Sequence, residues 1–357
     1  MFNAHIKARL ILVALLLFSF QLEAQQDSLL SIESDSLTIA HRNRGYIIVE
    51  TGPVLSNQVN SFNNIDLDGP ANIYGETDII MDGYFINLDM KYGVSKLFAL
   101  SGGYSMTRLN KSRLAEIGDT LSVDDQYPLI QHEFYINSTI HPGKGFEILP
   151  AVNIIIDSYE TVMPEPGIDS SNWLFPVEKQ GGVSTIAYLS VSKHFKIVST
   201  KVFTAFSNLG EEKQFQAGIQ FKIDPFGNQA LVMASAFLNH RDAGTNHFIF
   251  DQTIDIRISK KVYTGVTATF GEMNNYYESH ARKVYNLFNK LTFKGSARLI
   301  IEPVPRLKIT GEYRYLAGEG SYFYYENLSG GENQDPAVTN YKDFLSQVYL
   351  IGIKWAF

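Results

Sequence analysis

Seven histidines follow residue 24: His41, His132, His141, His194, His240, His247 and His280. A zinc site asks for ligands at short fixed spacings such as HExxH, and these histidines have none. The 357 residues include no cysteine, which removes thiolate metal sites, a cysteine nucleophile and a disulfide framework. The tightest acid–base grouping is His240 with Asp242, with Asp251 starting the next apolar segment. A histidine oriented by carboxylates can activate water, but that chemistry needs a positioned nucleophile or a second acidic pair. Neither is visible, so a solvated polar loop is expected there. Gly320-Ser321-Tyr322 and Asn137-Ser138-Thr139 lack the context of a nucleophile elbow, and no phosphate-binding glycine loop occurs. No enzymatic activity, metal or other cofactor is expected.

The remaining chemistry lies in charges, and these recur with a spacing of two. In Tyr84-Phe85-Ile86-Asn87-Leu88-Asp89-Met90-Lys91-Tyr92 one face carries Tyr84, Ile86, Leu88, Met90 and Tyr92, the other Asn87, Asp89 and Lys91. A strand points successive side chains to opposite faces, so each such segment has one greasy and one wet side. The pattern returns at 215–223, with Lys222 on the wet side. At 250–258 Ile254, Ile256 and Ile258 oppose Asp251, Asp255 and Arg257. At 291–299 the wet side carries Lys294 and Arg298, and at 307–315 Glu312 and Arg314. Weaker copies lie near 46–56, 97–108, 129–141, 146–157, 183–192, 196–206, 229–238, 262–270 and 344–357, which makes about 14 strands, an even number. The links alternate in length. Short ones lie at 93–96, 142–145, 192–194, 224–228, 259–261 and 303–305; long ones at 57–78, 109–128, 158–181, 271–288 and 317–342, with two shorter members of the long set near 207–213 and 239–246.

These elements specify an all-β protein, an antiparallel up-and-down β-barrel that crosses a membrane, with short periplasmic turns and longer extracellular loops. A soluble sandwich has no reason to sort its links by length. About 14 strands enclose a lumen too wide for one face of side chains to fill, so the wet side belongs inside. Asp89, Lys91, Lys222, Asp251, Asp255, Arg257, Lys294, Arg298, Glu312 and Arg314 are therefore expected to line the lumen. There they either set the ion preference of a water-filled pore or knit neighbouring strands together by opposite charge. If the link at 303–305 is tight, Lys294 lies near Arg314, with Glu312 between them and Arg298. Tyr46, Tyr84, Tyr92, Tyr104, Tyr313, Tyr315 and Tyr349 lie near strand ends or on the greasy face, where phenols form an aromatic girdle at the headgroups. The loops 158–181 and 317–342 carry Trp173, Leu174 and Phe175, and Tyr322, Phe323, Tyr324 and Tyr325. They are candidates to fold inward as a constriction or to face a partner.

Composition agrees. At 45% hydrophobic, 13% aromatic and 19% charged, the chain is not disordered, and a net charge of −7 argues against a nucleic-acid partner. Lys7 and Arg9 precede the apolar run Leu10 to Phe20, and Leu22-Glu23-Ala24 offers a cleavage site. Residues 1–24 therefore read as a secretory signal peptide, residues 25–44 as a polar periplasmic tail or plug, and 45–357 as the barrel. No cysteine follows the apolar run to carry a lipid anchor.

The chain ends Tyr349-Leu350-Ile351-Gly352-Ile353-Lys354-Trp355-Ala356-Phe357. Tyr349, Ile351, Ile353, Trp355 and Phe357 alternate up to a terminal aromatic. This resembles the C-terminal β-signal of outer-membrane barrels of Gram-negative bacteria, and the Tyr/Phe/Asn-rich style is similar to that of Bacteroidota. The resemblance covers the mature chain at the level of architecture. It implies an integral outer-membrane protein with both termini periplasmic, with outer-membrane lipid and the barrel-assembly machinery as partners, and other envelope proteins reached through the loops or tail. Among barrels of this size the long-chain fatty-acid transporters and the porin- and secretion-associated barrels are comparable classes, but no motif of either matches. Asp27-Ser28-Leu29, Asp35-Ser36-Leu37 and Asp119-Thr120-Leu121 resemble Bacteroidota O-glycosylation triplets, which are short enough to recur by coincidence. The leading functional expectation is a porin-like channel for small solutes. The alternatives are a non-conducting subunit of an envelope complex for secretion, motility or barrel assembly, and a transporter of hydrophobic molecules.

Overall fold

The computed structural model of the chain describes residues 45–56, 74–117, 120–162, 177–209, 213–224, 230–241, 244–273, 276–278, 281–285, 290–325 and 338–357. The segments 1–24 and 25–44, the residues His41, Trp173, Leu174, Phe175, Asp242 and His280, and the first residue of each Asp-Ser/Thr triplet lie outside the described residues. The strands are β1 (Gly45–Ser56), β2 (Tyr74–Gly93), β3 (Phe98–Ile117), β4 (Thr120–Gly143), β5 (Phe146–Val162), β6 (Val177–His194), β7 (Val198–Ser207), β8 (Gln214–Ile223), β9 (Ala230–Arg241), β10 (Asn246–Ser259), β11 (Val262–Gly271), β12 (Tyr276–Glu278), β13 (Lys283–Tyr285), β14 (Lys290–Val304), β15 (Leu307–Tyr325) and β16 (Val338–Ala356). Fourteen of them close into one antiparallel barrel, in which β1 pairs with both β2 and β16, while β12 and β13 pair only with each other. The described residues hold no α-helix.

Alternation explains the wall. On β16, Ile351 is 60% exposed and Trp355 50%, whereas the residues beside them, Leu350 and Lys354, are 6% and 7% exposed. On β2 Leu88, Met90 and Tyr92 are exposed and Asn87 and Lys91 buried. The buried set faces the lumen; the exposed set forms a continuous apolar exterior far larger than a water-soluble monomer tolerates and suited to acyl chains. The seam is sealed where Gly45 and Phe357 exchange backbone hydrogen bonds of 3.0 and 2.9 Å. Closure matters because an open strand edge in hydrocarbon leaves amide groups unsatisfied.

One end of the barrel is made of tight turns. The β4–β5 turn places Gly143 and Lys144 at φ 100° and 54°, and the β14–β15 turn holds Arg306 at φ 78°. The left-handed backbone of such turns explains the glycines at 143 and 145. At the other end the strands run further than the alternation indicates. β3 and β4 cross the expected loop 109–128, β5 and β6 narrow 158–181 to 163–176, and β15 and β16 reach into 317–342. Beyond the apolar belt side chains no longer have to alternate, but backbone pairing continues, so the signal stops before the ladder does.

Two further expectations are corrected. Tyr46 lines the lumen rather than the girdle, with the Lys354 ammonium 3.9 Å from its ring centre. The loop 271–288, read only as a long link, carries β12 and β13, and its Met273, Tyr276, Tyr277 and Ala281 are buried within the apolar cluster of the lumen.

Candidate functional site: a plugged lumen above a charged vestibule

The lumen has two halves. Toward the loop end the inward residues include Ile155, Ile186, Phe203, Phe237, Ile249 and Leu291, and the β12–β13 hairpin packs into them. Inward side chains alone cannot fill a barrel this wide; the hairpin supplies the missing volume. Tyr276 stacks face to face on Phe237 with centroids 5.5 Å apart and planes at 4°, continuing a ladder through Phe203 to Tyr188.

Polar contacts hold the hairpin on three sides. Arg282 donates to Asp89 at 2.7 Å and to Ser105 at 3.3 Å, also bonds the Asn87 amide oxygen, and lies 3.8 Å from the Glu133 carboxylate and 5.6 Å from the centre of the Tyr135 ring. Asn87 in turn donates to Glu50 at 3.0 Å and Asp89 at 2.8 Å. Glu278 pairs with Lys294 on β14. Gln216 on β8 donates to the Tyr277 carbonyl at 3.3 Å, and Asn153 on β5 to the Ala281 carbonyl at 2.8 Å. Ala281 sits at φ 63°, a left-handed conformation unusual for a residue with a side chain, fixed here by that bond.

Below the hairpin lies a vestibule of about 680 Å³ that extends to the turn end. Its lining carries Lys or Arg at 91, 196, 201, 222, 257, 282, 294, 298, 308, 314 and 354 against Asp or Glu at 50, 89, 147, 224, 251, 255, 278 and 312. Cations outnumber anions along this vestibule in a chain whose overall charge is −7.

The ten charged residues expected in the lumen lie along this vestibule. Asp89 meets Arg282, and Lys91 donates to Thr139 at 3.3 Å. Thr269 donates to Asp251 at 2.6 Å. Arg257 donates to the turn carbonyls of Ser259 and Lys260 at 2.9 and 3.1 Å. Lys222 lies on the wall beside them. Glu312 stands opposite Arg298 in the β14–β15 register, but its carboxylate grips Arg314 of its own strand at 2.6 and 3.2 Å. Arg298 reaches across β11 to fork onto Asp255 at 2.6 and 3.2 Å, and Lys294 turns to the hairpin rather than toward Arg314.

Two glycines make these cross-strand pairs possible. A Cβ on Gly265, between Asp255 and Arg298 in the register, would lie 1.9 Å from the Asp255 carboxylate. A Cβ on Gly103 would lie 2.1 Å from the Asp89 carboxylate and 3.0 Å from the Arg282 guanidinium. Reading for chemistry passes over glycines, and it also missed Arg282, Glu278 and Glu133. Glu133 was within reach, since Gln131, Glu133 and Tyr135 alternate with His132 and Phe134 as Asp89 and Lys91 do with theirs. Arg282 and Glu278 lie in a loop, where no period marks them.

His240 and Asp251 are not brought together. His240 lies exposed and donates from Nδ1 to the Asn246 amide oxygen at 2.9 Å, while Asp251 faces the lumen. No cluster suited to a metal ion occurs among the described residues. Tyr349, Ile351, Ile353, Trp355 and Phe357 all face outward on β16 or just past it.

No family model and no curated protein matches the chain. Solved structures do. A Pseudomonas aeruginosa FadL homologue is 8% identical over 88% of this chain and 90% of that one, with a TM-score of 0.54. The Pseudomonas putida toluene transporter TodX is 6% identical over 89% of this chain and 90% of that one, also at 0.54. The chain has the fold of an outer-membrane β-barrel. A TodX deltaS2S3 mutant described as a monoaromatic hydrocarbon channel superposes equally well, at 8% identity over 88% and 89% of the two chains and a TM-score of 0.54. At these identities the likeness is one of fold.

Proposed function

We propose that this chain is a gated, porin-like channel for small polar solutes in the outer membrane of a Gram-negative bacterium, with the β12–β13 hairpin as its gate. The observation that carries the reading is the attachment of the hairpin. It occupies the loop half of the lumen and is tied by ion pairs to two separate strands of the wall, Arg282 to Asp89 on β2 and Glu278 to Lys294 on β14, directly above a charged vestibule of about 680 Å³. A plug needed only for stability is better built from apolar contacts, because replacing a buried ion pair by packed hydrophobic groups is often neutral or stabilising. Ion pairs instead give a seat that can be left and retaken in water. In this reading the turns and both termini face the periplasm, the alternating end of the chain serves the barrel-assembly machinery as its signal, and the Tyr/Phe/Asn-rich style supports a Bacteroidota-type envelope.

A carrier for hydrophobic molecules is the second reading. It is favoured by the inward ladder Tyr188–Phe203–Phe237 and by the name of the toluene transporter that shares the fold. The charged vestibule weighs against it, since an apolar cargo gains nothing from crossing a wall of ions.

Planar bilayers test the channel. A variant with 276–285 replaced by a short Gly/Ser link is expected to give steady KCl conductance, while the intact barrel stays mostly closed. If that variant is folded and silent, the channel reading is wrong, and a plugged subunit of an envelope complex takes its place.

A further inference from the structure

On the loop side of the aromatic ladder, the inner wall of β8 and β9 carries amides whose hydrogen bonding is incomplete. Asn239 is 0% exposed, and neither its Oδ1 nor its Nδ2 has a partner. It pairs in register with Gln216, which is 2% exposed, and Gln214 beside them is 3% exposed. The Gln214 amide nitrogen donates to the Leu209 carbonyl at 3.3 Å and that of Gln216 to the Tyr277 carbonyl at 3.3 Å. Both acceptors are carbonyl oxygens, so the orientation of each amide is fixed. Each is left with an oxygen that has no partner. Buried amide groups are almost always satisfied by protein, water or ligand, and those left without a partner are costly. Three adjacent amides in that condition, on one face and against a displaceable hairpin, are the mark of an occupant.

Its chemistry follows from what the row lacks. Three oxygens need donors and one amide nitrogen needs an acceptor. A cation would satisfy the oxygens and leave the nitrogen; an anion would do the reverse. A hydroxyl does both. Gln214 and Gln216 stand about 7 Å apart along β8 and Asn239 about 4.8 Å across the ladder from Gln216, a spread that the hydroxyls of one sugar ring cover. The wet stripe continues down β8 to Gln220, which donates to Ser235 at 3.0 Å, and Lys222 in the vestibule. It is interrupted at Gly218, where Phe203 and Phe237 close to 2.5 and 2.4 Å of the position a Cβ would take.

We propose that Gln214, Gln216 and Asn239 form a binding site for a neutral, hydroxyl-bearing solute of monosaccharide size, the first station on a path down β8 that the hairpin and the Phe203–Phe237 pair keep shut. This rests on the channel reading for its biological sense, but its test is separate. Radiolabelled arabinose is equilibrated by dialysis with the full chain in detergent, as wild type and as Arg282→Ala. The Arg282→Ala protein is expected to bind arabinose more tightly than wild type. In that background Gln216→Leu with Asn239→Leu weakens binding about tenfold or more, as the loss of two hydrogen-bonding groups to a neutral ligand implies. Gln216→Glu, which keeps an acceptor in place, retains part of the affinity, and a heat-shifted gel band confirms that each variant is a folded barrel. Arabinose binding that is absent from both parent proteins, or unchanged by the leucine substitutions, overturns the site and leaves the amides to ordered water. A silent Arg282→Ala barrel that nevertheless binds arabinose through these amides keeps the site and removes the channel.

Discussion

In the proposed channel, Arg282→Ala removes the cation that holds the β12–β13 hairpin in the lumen. Its guanidinium is nearly buried and serves Asp89, Asn87, Ser105 and Glu133 at once. With alanine in place, the seated hairpin leaves Asp89 and Glu133 facing the plug with no compensating charge from it. Removing one partner of a buried pair costs about 3–5 kcal/mol. The Asp89 side chain is 24% exposed to the vestibule, and water there recovers part of that loss, so the lower figure of about 3 kcal/mol applies. The cost falls on the seated state, because with the hairpin withdrawn both carboxylates meet water whether or not Arg282 is present. At about 1.4 kcal/mol per decade, the ratio of withdrawn to seated hairpin rises about a hundredfold. Single-channel recording reads this as open time per closed time. Arg282→Lys, which keeps the charge but loses the planar fork, falls between. If Arg282→Ala gives a folded barrel whose open-to-closed ratio stays within about threefold of wild type, the latch is not what keeps the lumen closed.

Gly103→Ala tests the same latch without touching a charge. The new Cβ would stand 2.1 Å from the Asp89 carboxylate, so the pair has to part, and open time rises in the same direction as in Arg282→Ala, by a smaller factor. Leu88 is 44% exposed in the middle of the outward face of β2; Leu88→Arg lowers the stability of the barrel in lipid vesicles by about 2–4 kcal/mol, read by denaturant unfolding, and an effect below about 1 kcal/mol would mean that this face does not meet acyl chains. The surplus of lysine and arginine along the vestibule makes the opened channel anion-preferring, so a potassium chloride gradient across the bilayer gives a reversal potential of the sign set by chloride; Lys91→Glu together with Lys222→Glu reduces or inverts it.

Period two determined most of the architecture by itself. A strand offers only two faces, and a wall between lipid and an aqueous lumen assigns each a polarity, so Leu88 against Asp89 or Ile353 against Lys354 carries fold, membrane and lumen in one local pattern. Link lengths separated the two ends, and the charges on the wet side of the strong strands lie along one vestibule in the structure. What tertiary structure alone decided is what the charges do. Arg298 finds Asp255 two strands away because Gly265 between them has no side chain, a fact of register that no neighbour in sequence records. The plug was equally invisible. Tyr276, Glu278 and Arg282 belong to a link with no period to betray a face, and the partners that hold it, among them Asp89, Phe237 and Lys294, come from distant strands. Burial there is set by the shape of a closed barrel, which exists only once every strand is paired, and so the hairpin inside it is decided by the tertiary fold.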